Sequence, residues 1–375
     1  MPEIPSHWEV RRLKNVCRFI YGSTLKAQER NENGNVNVYG SNGIVGKHDE
    51  AISEMPCIII GRKGSFGKIN FSHEKCFPID TTYYVDKTST SENIYWVAYL
   101  LEYLKLDAFS KDSAVPGLAR EDAYEKYVPV PPAGEQDEIV KHLNNQSKKI
   151  NHFIKRKQRF IELLQEQRQS IITHAVTKGI DENVTMKETG INWIGQVPQH
   201  WELRRLKTIV DFKSGENITG ESISASAAYP VYGGNGIRGY TNKFTNHGNY
   251  VLIGRQGALC GNINYASGKF WASEHAVVVY PKVDLDFTWL GETLTTMNLN
   301  QYSMAAAQPG LAIENIRVLR IPFPSIEEQQ AIVNYIRAET KTLDIAITKA
   351  EKEIELMKEY KEAMIAEAIT GRRGN

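Results

Sequence analysis

Apolar residues follow two different rhythms along this chain. Short runs such as Ile58-Ile59-Ile60, Thr82-Tyr83-Tyr84-Val85, Val251-Leu252-Ile253 and Ala276-Val277-Val278-Val279-Tyr280 lie among Gly and Asn turns and predict strands. Tyr95 to Leu106 predicts a helix with one apolar face. Further on the rhythm changes to seven. Leu143, Ile150, Leu164 and Ile171 share that spacing, with Lys157 in the missing place, and Ser147, Ile154, Ile161, Arg168 and Ala175 fall four residues beyond each. A second run repeats it: Ile336, Leu343, Ala350, Met357 and Met364, followed by Thr340, Ile347, Ile354, Lys361 and Ala368. A seven-residue seam is the coiled-coil period. These runs predict long helices from about Gly134 to Lys178 and from about Ser325 to Thr370. Ser325 is placed to cap the second, with Glu327 and Glu328 in its first turn, and Gly179 and Gly371 are the expected stops. Each helix of about 44 residues would be about 65 Å long, more than one small domain can cover.

The chain also matches itself at an offset of 193 residues. Pro5-Ser6-His7-Trp8-Glu9-Val10-Arg11-Arg12-Leu13-Lys14 matches Pro198-Gln199-His200-Trp201-Glu202-Leu203-Arg204-Arg205-Leu206-Lys207. Tyr39 to Ile44 matches Tyr232 to Ile237, Gly61-Arg62-Lys63-Gly64 matches Gly254-Arg255-Gln256-Gly257, and Glu135-Gln136 matches Glu328-Gln329. The offset slips to 194 around Gly67 and Gly261. Two copies of one fold follow. Each has a mixed part closed by a Pro-rich stop, Val128-Pro129-Val130-Pro131-Pro132 or Ile321-Pro322-Phe323-Pro324, and then a long helix. The expected fold is α+β: two tandem-repeat mixed α/β domains over residues 1–132 and 181–324, with helices over 133–180 and 325–375 pairing as an antiparallel coiled coil.

Charge favours pairing of the two helices with each other. From Pro131 to Ile180, Lys and Arg exceed Asp and Glu by four, whereas from Ile321 to Asn375 the excess is two acidic. Antiparallel packing would give the repeat an approximate two-fold axis, matching the symmetry of a DNA backbone, with the helices as a ruler between two half-sites. The period alone leaves parallel packing open.

Composition is that of an ordinary globular protein, 41% hydrophobic and 24% charged. The formal net charge of +1 offers no general basic excess for nucleic acid, so any such charge must be local or come from a partner. Cys17, Cys57, Cys76 and Cys260 show neither zinc nor disulfide spacing, which fits a reduced, cytoplasmic protein. No apolar run approaches the roughly 18 residues of a membrane span, and the N-terminus lacks the apolar stretch of a signal peptide.

Candidate catalysis is sparse. Gly61-Arg62-Lys63-Gly64-Ser65-Phe66-Gly67-Lys68-Ile69 has the wrong spacing for a P-loop. Pro131-Pro132-Ala133 lacks the aromatic residue of an amino-methyltransferase loop, and no dinucleotide fingerprint or metal-like histidine pair occurs. His7 and His200, each before Trp, read as packing or hydrogen-bonding residues.

Three segments carry a resemblance: Gly190-Ile191-Asn192-Trp193-Ile194-Gly195-Gln196-Val197-Pro198-Gln199-His200-Trp201, Leu311 to Ile332 with Glu327-Glu328-Gln329-Gln330-Ala331-Ile332, and Ala175-Val176-Thr177-Lys178-Gly179. Together they resemble the specificity subunits of Type I restriction-modification systems across essentially the whole chain. The first copy lacks the upstream Gly-Ile-x-Trp-Ile-Gly. The resemblance implies two target recognition domains reading an asymmetric bipartite site in double-stranded DNA. It also implies assembly with two modification subunits, which methylate adenine with S-adenosylmethionine, and two restriction subunits, which use ATP and Mg. The chain itself would be non-catalytic, bind no cofactor and meet no membrane. The competing expectations are a self-contained methyltransferase or endonuclease, and a coiled-coil adaptor without a DNA role.

Candidate DNA contacts lie in two loops of each copy, where glycine lets backbone approach a duplex. The first holds Arg62, Lys63, Ser65 and Lys68, matched by Arg255 and Gln256; the second holds Asn42 and Lys47, matched by Asn235, Arg238 and Tyr240. The shared Arg62 and Arg255 suit a common task such as a phosphate contact. The unshared Lys63 and Gln256 suit discrimination between bases. Asn-Gly pairs also simply make turns. Lys111 and Gln308 are weaker candidates. The basic residues Lys148, Lys149, Lys155, Arg156, Lys157 and Arg159 favour pairing with the acidic second helix over facing DNA or binding a partner subunit.

Overall fold

The strand Cys57–Gly61 sends alternate side chains to opposite faces. Ile58 and Ile60 enter one apolar cluster with Tyr83, Val85 and Leu100, while Cys57 and Ile59 enter another with Tyr39, Cys76 and Tyr84. A central strand buried on both faces needs apolar residues at every position, which is why the run is continuous rather than alternating. In this computed structural model, which describes residues 4–109, 117–257, 259–303 and 310–372, the second copy repeats the device: Val251 and Ile253 face one cluster, Leu252 the other.

In chain order the first copy contains β1 (Glu9–Arg12), β2 (Ile20–Tyr21), β3 (Val36–Gly40), β4 (Gly43–His48), β5 (Cys57–Gly61), β6 (Ile69–Ser72), β7 (Phe77–Pro78) and β8 (Thr82–Asp86). Helices α1 (Ile94–Tyr103) and α2 (Arg120–Tyr124), strand β9 (Tyr127–Val130) and helix α3 (Ala133–Lys178) follow. One antiparallel sheet runs β2-β8-β5-β6; a second, β4-β3-β7, joins a hairpin to a parallel strand; β1 pairs with β9. The second copy opens with the hairpin β10 (Met186–Glu188) and β11 (Gln196–Pro198). It continues with β12 (Glu202–Arg205), α4 (Leu206–Ile209), β13 (Val210–Ser214), β14 (Tyr229–Gly233), β15 (Gly236–Thr241), β16 (Asn246–His247), β17 (Tyr250–Gly254), β18 (Ile263–Ala266), β19 (Lys269–Ala272) and β20 (Ala276–Pro281). Last come α5 (Phe287–Thr296), α6 (Ile313–Arg317), β21 (Arg320–Phe323) and α7 (Ile326–Thr370). Its sheets, β13-β20-β17-β18, β15-β14-β19-β16 and β12-β21, reproduce the first copy's order with one added strand.

Three details differ from the sequence reading. The Pro-rich stops are strands: Pro129 and Pro322 lie opposite Val10 and Leu203 in two-stranded ladders, where one proline costs little. The predicted helix beginning at Tyr95 ends at Tyr103, and a 3₁₀ turn takes Leu106–Phe109. The offset of 194 is not confined to Gly67. Gly61 pairs with Thr82 and Gly254 with Ala276, so the slip extends through the next strand and is removed before Asn93 and Asp286, which cap α1 and α5 equivalently.

The described residues form two units, residues 1–158 with 352–375, and residues 159–351. Each long helix therefore contributes to both. In the first unit Leu143 and Ile150 share a cluster with Met364, Ile365 and Ile369; in the second, Ile172, Ala175 and Val176 share one with Ile332, Val333 and Ile336. Lys157 Nζ lies 2.5 Å from Glu353 Oε2 in the first unit, and Arg168 Nε 2.9 Å from Asp344 Oδ1 in the second.

The joint between each mixed part and its helix is built alike. In the first unit the Trp8 indole donates to Glu135 Oε2 at 2.9 Å, with His7 Nε2 2.7 Å from Oε1. In the second, Trp201 and His200 make the same contacts to Glu328 Oε1 at 3.1 and 2.9 Å. The next residue is a buried glutamine. Gln136 accepts from the Asn93 backbone N–H and donates to the Pro131 carbonyl; Gln329 does the same with Asp286 and Pro324. A buried amide must be satisfied, and this one is satisfied by linking two elements. The helix stops are the expected glycines, Gly179 at φ +79° and Gly371 at φ +71°. Gly371 packs on Pro5 and Trp8, and Gly179 on Pro198 and Trp201, so the same tryptophan meets the start of one helix and the end of the other. Ser325 caps as expected, accepting the Glu328 N–H; a backbone N–H bond, joined by the Ser325 hydroxyl, holds the Glu327 carboxyl below the usual carboxylate range.

Candidate nucleic-acid interface

In both units the two candidate loops are neighbours. In the first, the glycine loop leaves β5 at Gly61 and returns at β6. Gly61 N–H donates to the Lys68 carbonyl and Gly67 N–H to the Gly61 carbonyl. Gly67, at φ +74°, leaves no room for a side chain, because an added Cβ would meet the Asp107 backbone at 2.1 Å. Arg62 and Lys63 N–H groups both donate to the Thr81 carbonyl, at 2.9 and 3.2 Å. The β3–β4 hairpin turns through Ser41 and Asn42, with Ser41 Oγ donating to the same carbonyl at 2.7 Å. Lys68 Nζ closes the arrangement by donating to Asn42 Oδ1 at 2.6 Å.

The second unit keeps this frame with other side chains. Gly254 donates to the Asn262 carbonyl and Gly261 to the Gly254 carbonyl, so this loop is one residue longer. Asn262 takes the place of Lys68 and donates its amide to Asn235 Oδ1 at 2.7 Å. A charged tie in one unit is a neutral tie in the other.

The candidate residues are brought together as follows. Asn42, Lys47, Lys63, Ser65 and Lys68 are exposed, as are Asn235, Arg238 and Gln256. Arg62 and Arg255 are half-buried with different partners. The Arg62 guanidinium stacks 5.0 Å from the Tyr21 ring centroid and donates to the Asp80 carbonyl; Arg255 donates to Ser214 Oγ at 3.0 Å. Gln256 Oε1 is 3.0 Å from His275 Nδ1, and His275 Nε2 is 3.0 Å from Glu274, so the reading face of this glutamine is oriented by a second side chain. Tyr240 is half-buried and bonds through its backbone to Ser224. Lys111 and Gln308 lie outside the described residues. Among the basic helix residues, Lys157 pairs with Glu353, and Arg159 with Glu162 and Glu166 on its own helix.

Sequence reasoning missed two groups. Ile44 and Ile237, 57% and 52% exposed, project beside the shared asparagine of each hairpin, an exposed aliphatic kept in both copies. Tyr21 and Arg120 gather around Arg62 in the first unit only. The exposure of the two isoleucines was signalled by their position next to a tight Asn-Gly turn. No local signal marks Tyr21 and Arg120, which are 41 and 58 residues from Arg62. Among the described residues there is no cluster of His, Cys, Asp or Glu suited to a metal, and no helix is long and apolar enough to cross a membrane.

Two loops held on one backbone frame are present twice, with different side chains on each. The family model for the Type I restriction modification DNA specificity domain matches residues 5–163 and 198–356, and the chain belongs to that family. Its sequence is 45% identical over 130 residues to the Type I restriction enzyme EcoprrI specificity subunit of Escherichia coli, covering 34% of this chain and 32% of that one. It is 21% identical over 419 residues to the Type I restriction enzyme MjaVIII specificity subunit of Methanocaldococcus jannaschii, covering 98% and 93%. The match to the E. coli relative, and that to a putative specificity subunit of Haemophilus influenzae, span about a third of each relative's length. A solved chain from work on assembly and conformational transition of the type I R-M system shares the fold at a TM-score of 0.65, with 14% identity and full coverage of both chains.

Proposed function

We propose that this chain is the non-catalytic specificity subunit of a Type I restriction-modification complex, reading an asymmetric bipartite site in double-stranded DNA. The observation that carries this reading is the frame shared by the two units with different exposed groups on it: Lys63 against Gln256 and Lys68 against Asn262, with the exposed Lys47 replaced by the half-buried Tyr240. Shared backbone places each module on a duplex in the same way, and unlike side chains read unlike bases. The chain would bind two modification subunits, which supply S-adenosylmethionine chemistry on adenine, and two restriction subunits, which use ATP and Mg. It would work in the cytoplasm and bind none of these cofactors itself.

The long helices serve in this reading as an antiparallel coiled coil. Support comes from within each unit: in the first, Lys157 pairs with Glu353 while the earlier Leu143 and Ile150 cluster with the later Met364 and Ile369; in the second, Arg168 pairs with Asp344 while the later Ile172 and Val176 cluster with the earlier Ile332 and Ile336. Burial of the seven-residue seam points the same way, with Leu143, Ser147, Ile150, Ile336, Thr340, Ala350 and Ile354 all buried.

A methylome of host cells with and without this gene tests the proposal. A split adenine-methylated motif that vanishes on deletion is the expected outcome. Methylation unchanged by deletion would favour an adaptor role, and methyl transfer by the purified chain alone would favour a self-contained enzyme.

A further inference from the structure

The first unit carries a cation–aromatic cluster around Tyr21, for which the matching positions of the second hold no counterpart among the described residues. Tyr21 ends the short edge strand β2, and its ring is 46% exposed. The Arg62 guanidinium lies 5.0 Å from its centroid and the Arg120 guanidinium 5.1 Å. Beneath it Tyr83 packs edge-on at 5.0 Å, with its hydroxyl donating to the Leu118 carbonyl. Arg120 also stacks 5.7 Å from Tyr124, whose hydroxyl accepts the Phe19 N–H. The three tyrosines are thus fixed by backbone or packing contacts, and the two cations rest on them.

Stacking engages the faces of a guanidinium and leaves its N–H edges available. Among the described residues Arg62 donates to the Asp80 carbonyl, and Arg120 donates Nε and Nη2 to Glu121 Oε1 at 3.3 and 3.2 Å. Glu121 is itself largely exposed, a solvated counter-ion that a stronger anion can replace. In the second unit the positions of Tyr21 and Arg120 are Ser214 and Ile313. There Arg255, the match of Arg62, simply donates to Ser214.

We infer that Tyr21, Arg62 and Arg120 form a phosphate clamp in the first recognition domain, taking a backbone phosphodiester of duplex DNA, and that the second domain has no equivalent. The inference rests on the DNA-reading role proposed above and deepens it. Two guanidiniums on one rigid ring present a pre-organised cationic edge, so little side-chain entropy is lost on binding. The cluster adjoins Lys63 and the glycine loop, so the clamp sits beside the bases that loop would read. It also gives a chain of net charge +1 a local source of affinity.

The test uses the full chain assembled with its modification subunits, on a duplex bearing its methylated motif, with affinity measured against KCl concentration. Arg120→Ile and Tyr21→Ser install the residues that the second copy already carries at these positions. Arg120→Ile is expected to lower the slope of log K against log salt by about one and to weaken low-salt binding about 3- to 10-fold. The loss should be the same for every base substitution in the first half-site, since a phosphate contact carries no sequence information. Glu121→Gln, which removes the competing carboxylate, is expected to tighten binding. If Arg120→Ile lowers the melting temperature yet leaves slope and affinity unchanged, the cluster is an internal brace and the inference is wrong. If the unaltered complex does not prefer its motif over random duplex, the DNA-reading role itself fails.

Discussion

Trp8 donates its indole N–H to Glu135 at 2.9 Å across 127 residues of sequence, fastening the chain's first strand to the first turn of α3. Glu328 holds Trp201 in the same way. Hydrogen bonds to a charged group are worth about 1.5–3 kcal/mol when one partner is shielded. Glu135→Ala and Glu328→Ala should each destabilise their unit by about 1–3 kcal/mol. Denaturant unfolding checks this, and a large loss at one site with none at the other would break the equivalence of the joints.

The glycines that end the long helices should not be equally replaceable. A left-handed backbone costs a non-glycine residue about 1 kcal/mol. At Gly179 an added Cβ would touch Trp201 at 3.3 Å, whereas at Gly371 it would meet Pro5 Cδ at 2.4 Å. Gly179→Ala should cost about 1 kcal/mol and Gly371→Ala distinctly more, measured by calorimetry on the two variants. The reverse order would show that the Pro5–Trp8 segment yields easily.

Exchange of the unshared loop residues should redirect one half-site at a time. Lys63→Gln should change preference in one half of the methylated motif and leave the other half intact. A correct bidentate contact discriminates by about 1–3 kcal/mol. Methylome sequencing reads the result, and a motif altered in both halves would contradict independent reading by the two domains.

Burial holds the Glu292 carboxyl above its ordinary range, outweighing the attraction of Arg168. Tyr265 donates to it at 3.2 Å, and its own hydroxyl is pushed up by the same burial. A carboxyl with a raised folded value binds its proton more tightly when folded than when unfolded. The chain therefore gains stability as pH falls from the folded value toward the ordinary carboxylate value, and above that window the ionised group is a constant cost. Glu292→Gln keeps an acceptor for Tyr265 without the charge. It should raise the melting temperature at pH 7 and flatten its rise on mild acidification. A lower melting temperature at pH 7 would show that the Arg168 attraction dominates.

Charge on the helix seam should matter modestly. Lys157 and Glu353 are both about 30% exposed, so their ion pair is worth at most about 1 kcal/mol. Lys157→Glu should lower stability, and adding Glu353→Lys should restore most of it. A double variant no better than the single one would mean that the pair contributes nothing.

Much of the architecture was legible because it repeats. Register at offset 193 identified the joints, short apolar runs identified β5 and β17, and the period of seven identified the long helices. The role of His7 and His200 as packing or hydrogen-bonding residues was legible because each precedes a repeated Trp, and they contact Glu135 and Glu328. What a repeat hides is whatever the copies do not share. Tyr21 and Arg120 have no match in Ser214 and Ile313, so comparing copies discards them, and stacking partners so far apart in sequence leave no local pattern. The Pro-rich exits were misread for another reason. Proline is a poor strand former in general, and only the two-stranded ladder with β1 or β12, which asks for few backbone bonds, makes it acceptable.

The two units differ in how the ribosome delivers them. The second is one continuous stretch, residues 159–351, and all its parts are available once Glu351 has emerged. The first needs two stretches far apart in sequence: Met364, Ile365 and Ile369 complete the cluster around Leu143 and Ile150, and Gly371 closes on Pro5 and Trp8. Contacts of such sequence separation form late and slowly. During synthesis the first unit's apolar helix face stays open until Met364 to Ile369 emerge, so truncation ahead of Met364, which takes nothing from the second unit, should leave the first exposed to proteolysis and aggregation.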